Sequence, residues 1–212
     1  MSTLDSIALP DLCRQRITDL LASGRRRLLG IAAAPGAGKS TLAQAIATQF
    51  GDAVQVVPMD GFHLANSALL RLGRRGRKGA PDTFDAAGYL NLLRRLKAQS
   101  ADEVVYAPDY RREVEEAIAG AIAIFPATPL IVTEGNYLLL EEAPWNQLPG
   151  VLDEIWYLDV PEDLRYARLL ARHIRFGRSE QQARDWIAST DEPNAVRIAS
   201  CRHRADLQVP GQ

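Results

Sequence analysis

The run Ala33-Ala34-Pro35-Gly36-Ala37-Gly38-Lys39-Ser40 carries the residue types needed to hold a polyphosphate. It fits the pattern Gly-x4-Gly-Lys-Ser/Thr, with Ala33 in the place of the first glycine. Alanine is acceptable there if the backbone keeps a negative φ. Pro35, Gly36, Ala37 and Gly38 would curl backbone N–H groups around phosphate oxygens, and the two glycines permit the close approach. The first turn of the helix that follows, read from Ser40, adds oriented N–H donors and a positive dipole end. Lys39 can reach the β- and γ-phosphates, Ser40 can ligate Mg²⁺, and Thr41 is placed for the α-phosphate. Only Lys39, Lys78 and Lys97 are lysines among 25 basic residues, so a lysine at this point is conspicuous. The competing reading is a glycine turn with a capping serine.

Other residues could do chemistry at the same edge. Glu134 closes the apolar run Pro129 to Thr133, where a charge is costly unless it meets a cation or donors. Mg²⁺, directly or through water, is one such partner, and an arginine is the other. Arg165, Arg168, Arg172, Arg175 and Arg178 recur at three- or four-residue spacing, and Arg168, Arg172 and Arg175 share a helix face. They are either a cationic lid over transferring phosphates or a solvated face paired with Glu162 and Asp163. Arg71, Arg74, Arg75, Arg77 and Lys78 form a basic, glycine-rich loop without interleaved aromatic residues, which disfavours nucleic acid. Asp60 follows a strand-like run at the carboxyl edge where parallel sheets bind ligands, and the competing reading is an Asx turn before Gly61. His63, Tyr110, Arg111, Asn136 and Tyr137 each lie beside an expected strand end and are candidates for an acceptor site.

These residues need a scaffold that brings strand ends together. Leu28 to Ala33, Val54 to Val57, Val104 to Tyr106, Ile122 to Phe125, Pro129 to Thr133, Ile155 to Leu158 and Ala205 to Val209 read as strands. Helical spacing covers Ser2–Ala22, Ser40–Phe50, Ala86–Gln99, Pro161–Phe176 and Glu180–Ser189. Strands alternating with helices predict a doubly wound parallel α/β sheet, with ligands at the carboxyl ends of its strands. No repeat or linker divides residues 1–212, which read as one domain. No Asn-Lys-x-Asp run is present, which counts against a GTPase. The central strand ends in Glu134-Gly135 and not Asp-Glu, which counts against an ATPase motor.

Five segments are similar to the uridine kinase, pantothenate kinase and phosphoribulokinase group of P-loop kinases. They are Ala34 to Thr41, Met59-Asp60-Gly61-Phe62-His63, Arg77 to Asp85, Thr133-Glu134-Gly135-Asn136-Tyr137 and Asp191-Glu192-Pro193-Asn194-Ala195. More narrowly, the chain resembles bacterial proteins of a nucleoside/nucleotide kinase or fructose transport system kinase type. The resemblance implies the P-loop nucleoside triphosphate hydrolase fold with a helical lid, drawn from Arg71–Ala80 and Arg168–Arg178. It implies ATP and Mg²⁺ as cofactors. Asp60 would orient the acceptor hydroxyl and accept its proton, and Lys78 would touch the substrate. Arg168, Arg172 and Asn194 would lie on the nucleotide, with Lys39, Asp60 and Arg172 as the catalytic set. The implied activity is γ-phosphoryl transfer to a hydroxyl of a sugar such as fructose, a nucleoside or a pantothenate-like molecule. A nucleotide-dependent regulator and a nucleic-acid-associated ATPase are the alternatives.

The bulk properties agree with a small cytoplasmic enzyme acting on small molecules, without nucleic-acid or membrane partners. A net charge of -1 gives no field toward either surface. Cys13 and Cys201 lack metal-ligand spacing and are expected to be reduced thiols. The N-terminal stretch has no signal-peptide pattern, and no apolar run is long enough to span a bilayer. A homodimer stays open.

Overall fold

The computed structural model describes residues 9–211. Five parallel strands form the main sheet in the order β2-β5-β1-β6-β7: β1 (Arg27–Ala32), β2 (Val54–Pro58), β5 (Leu130–Gly135), β6 (Glu154–Asp159) and β7 (Leu207–Pro210). Their near-continuous apolar sequences are what a sheet covered on both faces requires. In β1, Leu28 and Ala32 enter one core cluster while Leu29 and Ile31 enter the other. Gly30 leaves space for Leu152, whose Cδ1 would lie 2.8 Å from an added Cβ.

The helices are α1 (Asp11–Ala22), α2 (Lys39–Phe50), α3 (Asn66–Arg71), α4 (Ala86–Lys97), α5 (Glu162–Arg175), α6 (Glu180–Trp186) and α7 (Glu192–Ser200). The earlier part of the first predicted helix, residues 2–8, lies outside the described residues. Among the described residues no helix is long and apolar enough to cross a membrane.

Three local expectations are corrected. The runs at Val104 and Ile122 do not join the parallel sheet. They lengthen into β3 (Val105–Arg111) and β4 (Glu116–Ile124), an antiparallel hairpin. Its signal is masked because Pro108 interrupts one strand, Gly120 the other, and the register shifts between Ala107 and Asp109. The turn between them has no glycine, and Glu115 takes the positive φ of 52° itself. The helix expected to run to Ser189 ends at Trp186 and continues through a π turn, Ile187–Asp191, into α7. Such widened turns are frequent at functional sites. The basic loop, expected as open coil, contains the end of α3 and a 3₁₀ turn at Arg75–Arg77.

Candidate active site

Parallel register brings the reactive residues to one edge. Glu134 on β5 stands opposite Ile31 on β1 and Pro58 on β2. The chain leaving β1 becomes the phosphate loop, and the chain leaving β2 reaches Asp60 two residues later. Gly36 and Gly38 adopt φ of 83° and 95°, and Ala33 keeps an ordinary φ. Gly36 is also sterically required, since a Cβ there would lie 2.8 Å from the Arg165 carbonyl oxygen. The helix α5 therefore packs directly on the loop.

Lys39 is buried at 8% exposure. Its Nζ donates to Asn136 Oδ1 at 2.7 Å and to the carbonyls of Ala33 and Ala34 at 3.1 and 3.2 Å. Burial pushes its pKa down to about 8, against the attraction of Glu134 and Asp60. Ser40 Oγ donates to Glu134 Oε1 at 2.8 Å. Burial, followed by the Asp60 charge, raises the Glu134 pKa, and Lys39 and the Ser40 hydroxyl oppose that rise. Thr41 is exposed on the first turn of α2.

Lys39, Asp60, Glu134, Asn136 and Arg172 line one cavity of about 490 Å³. The hairpin reaches it because Gly61 has no side chain: a Cβ would lie 2.3 Å from the Pro108 carbonyl oxygen. That contact sets Tyr110 and Arg112 beside Asp60. Arg112 Nη2 lies 3.3 Å from Asp60 Oδ2. His63 Nδ1 sits 2.9 Å from the Asp60 carbonyl, and its ring lies 4.0 Å from Phe84 and 4.6 Å from Tyr110. Burial lowers its pKa. Lys78 Nζ donates to Asn66 Oδ1 at 2.9 Å and lies 5.3 Å from the Tyr110 ring centroid.

Two expected acceptor residues are elsewhere. Arg111, the last residue of β3, points away to Asp109 at 3.3 Å and is exposed, and the next residue, Arg112 in the turn, takes the place beside Asp60. Tyr137 is buried among Phe84 and Trp145 and donates to the Gly79 carbonyl, outside the cavity lining. Of the basic loop only Arg75, Lys78 and Gly79 reach the cavity, while Arg74 and Arg77 pair with Asp82. The arginine series also divides. Arg165 is buried, donates to the Pro35 carbonyl and pairs with Glu192 at 2.7 Å. Arg168 lies over the loop, its Nη1 3.9 Å from a Cβ placed on Gly38. Arg172 and Arg178 line the cavity, and Arg175 does not. Asn194 lines the cavity from α7, its amide donating to the Thr190 carbonyl. Arg112, His173, Trp186 and Asp191 are lining residues that sequence reasoning missed. Only the Asp191-to-Ala195 segment carried a local signal for one of them.

The phosphoribulokinase/uridine kinase family model matches residues 28–211. The chain belongs to this family. As a member it is a P-loop kinase that uses ATP on a small-molecule substrate. A solved protein of Silicibacter sp. TM1040, described as a "putative fructose transport system kinase", is 38% identical and covers 94% of this chain and 98% of its own, with a TM-score of 0.84. A Schizosaccharomyces pombe protein named "putative uridine kinase" is 34% identical over 194 residues, 86% of this chain and 81% of its own length. The pantothenate kinase of Rhizobium leguminosarum is 30% identical over 87% of this chain, which spans only 56% of that kinase.

Proposed function

We propose that the kinase transfers the γ-phosphoryl group of ATP to a hydroxyl of a small polyol, with a free sugar such as fructose as the first candidate. The observation that carries this reading is the convergence of Lys39, Asp60, Glu134 and Arg172 on a single cavity. The acceptor hydroxyl lies against Asp60, which takes its proton as the oxygen attacks phosphorus in line, and ADP leaves with the displaced bond pair. Lys39 exchanges its carbonyl and Asn136 contacts for phosphate oxygens. Arg172 offsets charge spread over the transferring group. Ser40 and Glu134 offer adjacent oxygens fit for a hard cation. Mg²⁺ bound there would neutralise charge on the phosphates.

Support for a sugar comes from the acceptor wall, where aromatic rings of His63, Phe84 and Tyr110 stand beside the paired charges Asp60–Arg112 and Arg75–Glu115. Hydroxyl groups both donate and accept, so they can enter such pairs without leaving an ion unpartnered. Nucleosides and pantothenate are the other acceptors to be tried. The nucleic-acid reading has less support, since the loop cations are engaged in local pairs. ADP release measured with D-fructose, uridine and pantothenate tests the proposal. Strong stimulation by one acceptor is expected. Stimulation by polynucleotide, and by none of the three, would overturn it.

A further inference from the structure

Behind Arg172 the lid wall of the cavity holds a chain of three charged or titratable side chains from three different segments. Arg178 Nη1 lies 2.8 Å from His173 Nδ1, and His173 Nε2 lies 2.7 Å from Asp191 Oδ2. A guanidinium can only donate, so Nδ1 accepts, and Nε2 carries the proton that is donated to Asp191. The sequence of bonds therefore selects one tautomer and one orientation of the ring. Both ends of the chain are themselves fixed. Arg178 stacks 4.0 Å from the centroid of the Trp186 ring. Asp191 is 8% exposed, a burial that a carboxylate tolerates only with a donor in place.

The backbone adds a second restraint. The α5 helix ends in a left-handed Gly177 at φ 94°, and Arg178 N donates back to the His173 carbonyl at 3.2 Å. His173 thus sits on a last turn that is clipped both through its main chain and through its ring. Arg172 is its immediate neighbour on that turn and lines the cavity together with Lys39, Asp60 and Glu134. A small rotation of the turn would sweep the end of so long a side chain away from Lys39.

We propose that the Arg178–His173–Asp191 chain is a positioning device that holds the Arg172 guanidinium on the γ-phosphoryl position of bound ATP. The inference rests on the kinase reading of Arg172. His173 and Arg178 act through Arg172 in this role.

The test is calorimetric and needs no acceptor. Titrations with Mg·AMP-PNP and Mg·ADP give each variant's preference for a nucleotide carrying a third phosphoryl group. Arg172→Ala is expected to lower this preference about tenfold, the scale of one charge-assisted hydrogen bond. His173→Leu should lower it by a similar factor with ADP affinity unchanged. The double variant should fall no further than Arg172→Ala alone, because a residue acting through another adds nothing once that other is gone. His173→Asn, whose amide oxygen stands near the Nδ1 position, should keep more of the preference than His173→Leu.

Full preference in His173→Leu, beside a loss in Arg172→Ala, overturns this inference and leaves the kinase reading intact. Additive losses in the double variant overturn it too, since His173 would then act independently. Full preference in Arg172→Ala removes both the lid role and the inference built on it. If His173→Leu also loses ADP affinity, Arg178→Ala decides, since it removes only the outer link; full preference there again overturns the proposal.

Discussion

The two walls of the cavity are built in opposite ways. The nucleotide wall is eight consecutive residues, Ala33 to Ser40, carried between a buried strand and a helix. Its chemistry is largely main-chain, and its side chains are small apart from that of Lys39. The wall proposed for the acceptor is gathered from the turn at Asp60, the loop at Arg75 to Gly79 and the tip of the β3–β4 hairpin, and α5 to α7 bridge it to the phosphate loop. Several of the charged groups there pair across segments, Asp60 with Arg112, Arg75 with Glu115 and His173 with Asp191. Phosphate is the same for every nucleotide, so one short loop on a rigid sheet suffices to hold it. An acceptor has individual shape and polarity, and the wall that reads it has to be assembled from parts that can differ.

The sharpest way to break the contrast is to disable the nucleotide wall at one atom. Lys39→Ala is expected to leave no detectable ADP release and to weaken ATP binding in calorimetry. It removes the buried ammonium that donates to the Ala33 and Ala34 carbonyls and to Asn136. Near-normal turnover would show that the loop does not bind the transferred phosphates. Asp60→Asn tests the boundary between the walls. It keeps volume and the contact with Arg112 but removes the proton acceptor, so kcat should fall by roughly 10²–10⁴ with ATP affinity retained. A collapse of ATP binding in that variant would make Asp60 part of the nucleotide wall.

The same contrast explains what was legible in the sequence. The phosphate loop, Glu134 and Asp60 could be read because each lies within a few residues of a buried strand whose pattern is local. The sheet itself followed from alternation of strand and helix. The hairpin could not be read, because Pro108 and Gly120 interrupt its strands and its turn is closed by Glu115 in place of glycine. The sequence points to Arg111 and is silent on Arg112, because which of two neighbouring arginines faces Asp60 depends on register, which the sequence leaves open. Arg165 read as one of five lid arginines. Its burial against Pro35 and Glu192 depends on where α5 crosses the loop.

Arg165 gives a stability test of that crossing. Arg165→Leu would leave Glu192 without its partner and the Pro35 carbonyl without a donor. Breaking a buried pair in this way costs about 3–5 kcal/mol. The partial exposure of Glu192 argues for the lower end, about 3 kcal/mol. Denaturant unfolding measures it, and a midpoint close to that of the parent protein would show that the pair contributes little to seating α5 on the loop.

The smallest effects should separate the two arginines at the hairpin tip. Arg112 Nη2 lies 3.3 Å from the Asp60 carboxylate and lines the cavity, whereas Arg111 pairs with Asp109 on the outer side. An acceptor hydroxyl bound at Asp60 has to share that carboxylate with Arg112. Arg112→Ala should therefore change KM for the acceptor several-fold while KM for ATP stays within about twofold, because the guanidinium pairs with Asp60 and with no residue of the phosphate loop. The magnitude is modest for a physical reason: at 3.3 Å and 42% exposure the guanidinium is half in water, where such pairs contribute about 0–1 kcal/mol. Arg111→Ala, with 58% exposure and a partner two residues away on its own strand, should change neither constant. Steady-state kinetics on the two variants, with whichever acceptor gives ADP release, read the difference directly. Equal effects would mean that the hairpin tip acts through general charge near the cavity mouth. An effect confined to Arg111→Ala would mean that the strand presents its other face to the acceptor, with Arg111 and not Arg112 on the acceptor wall.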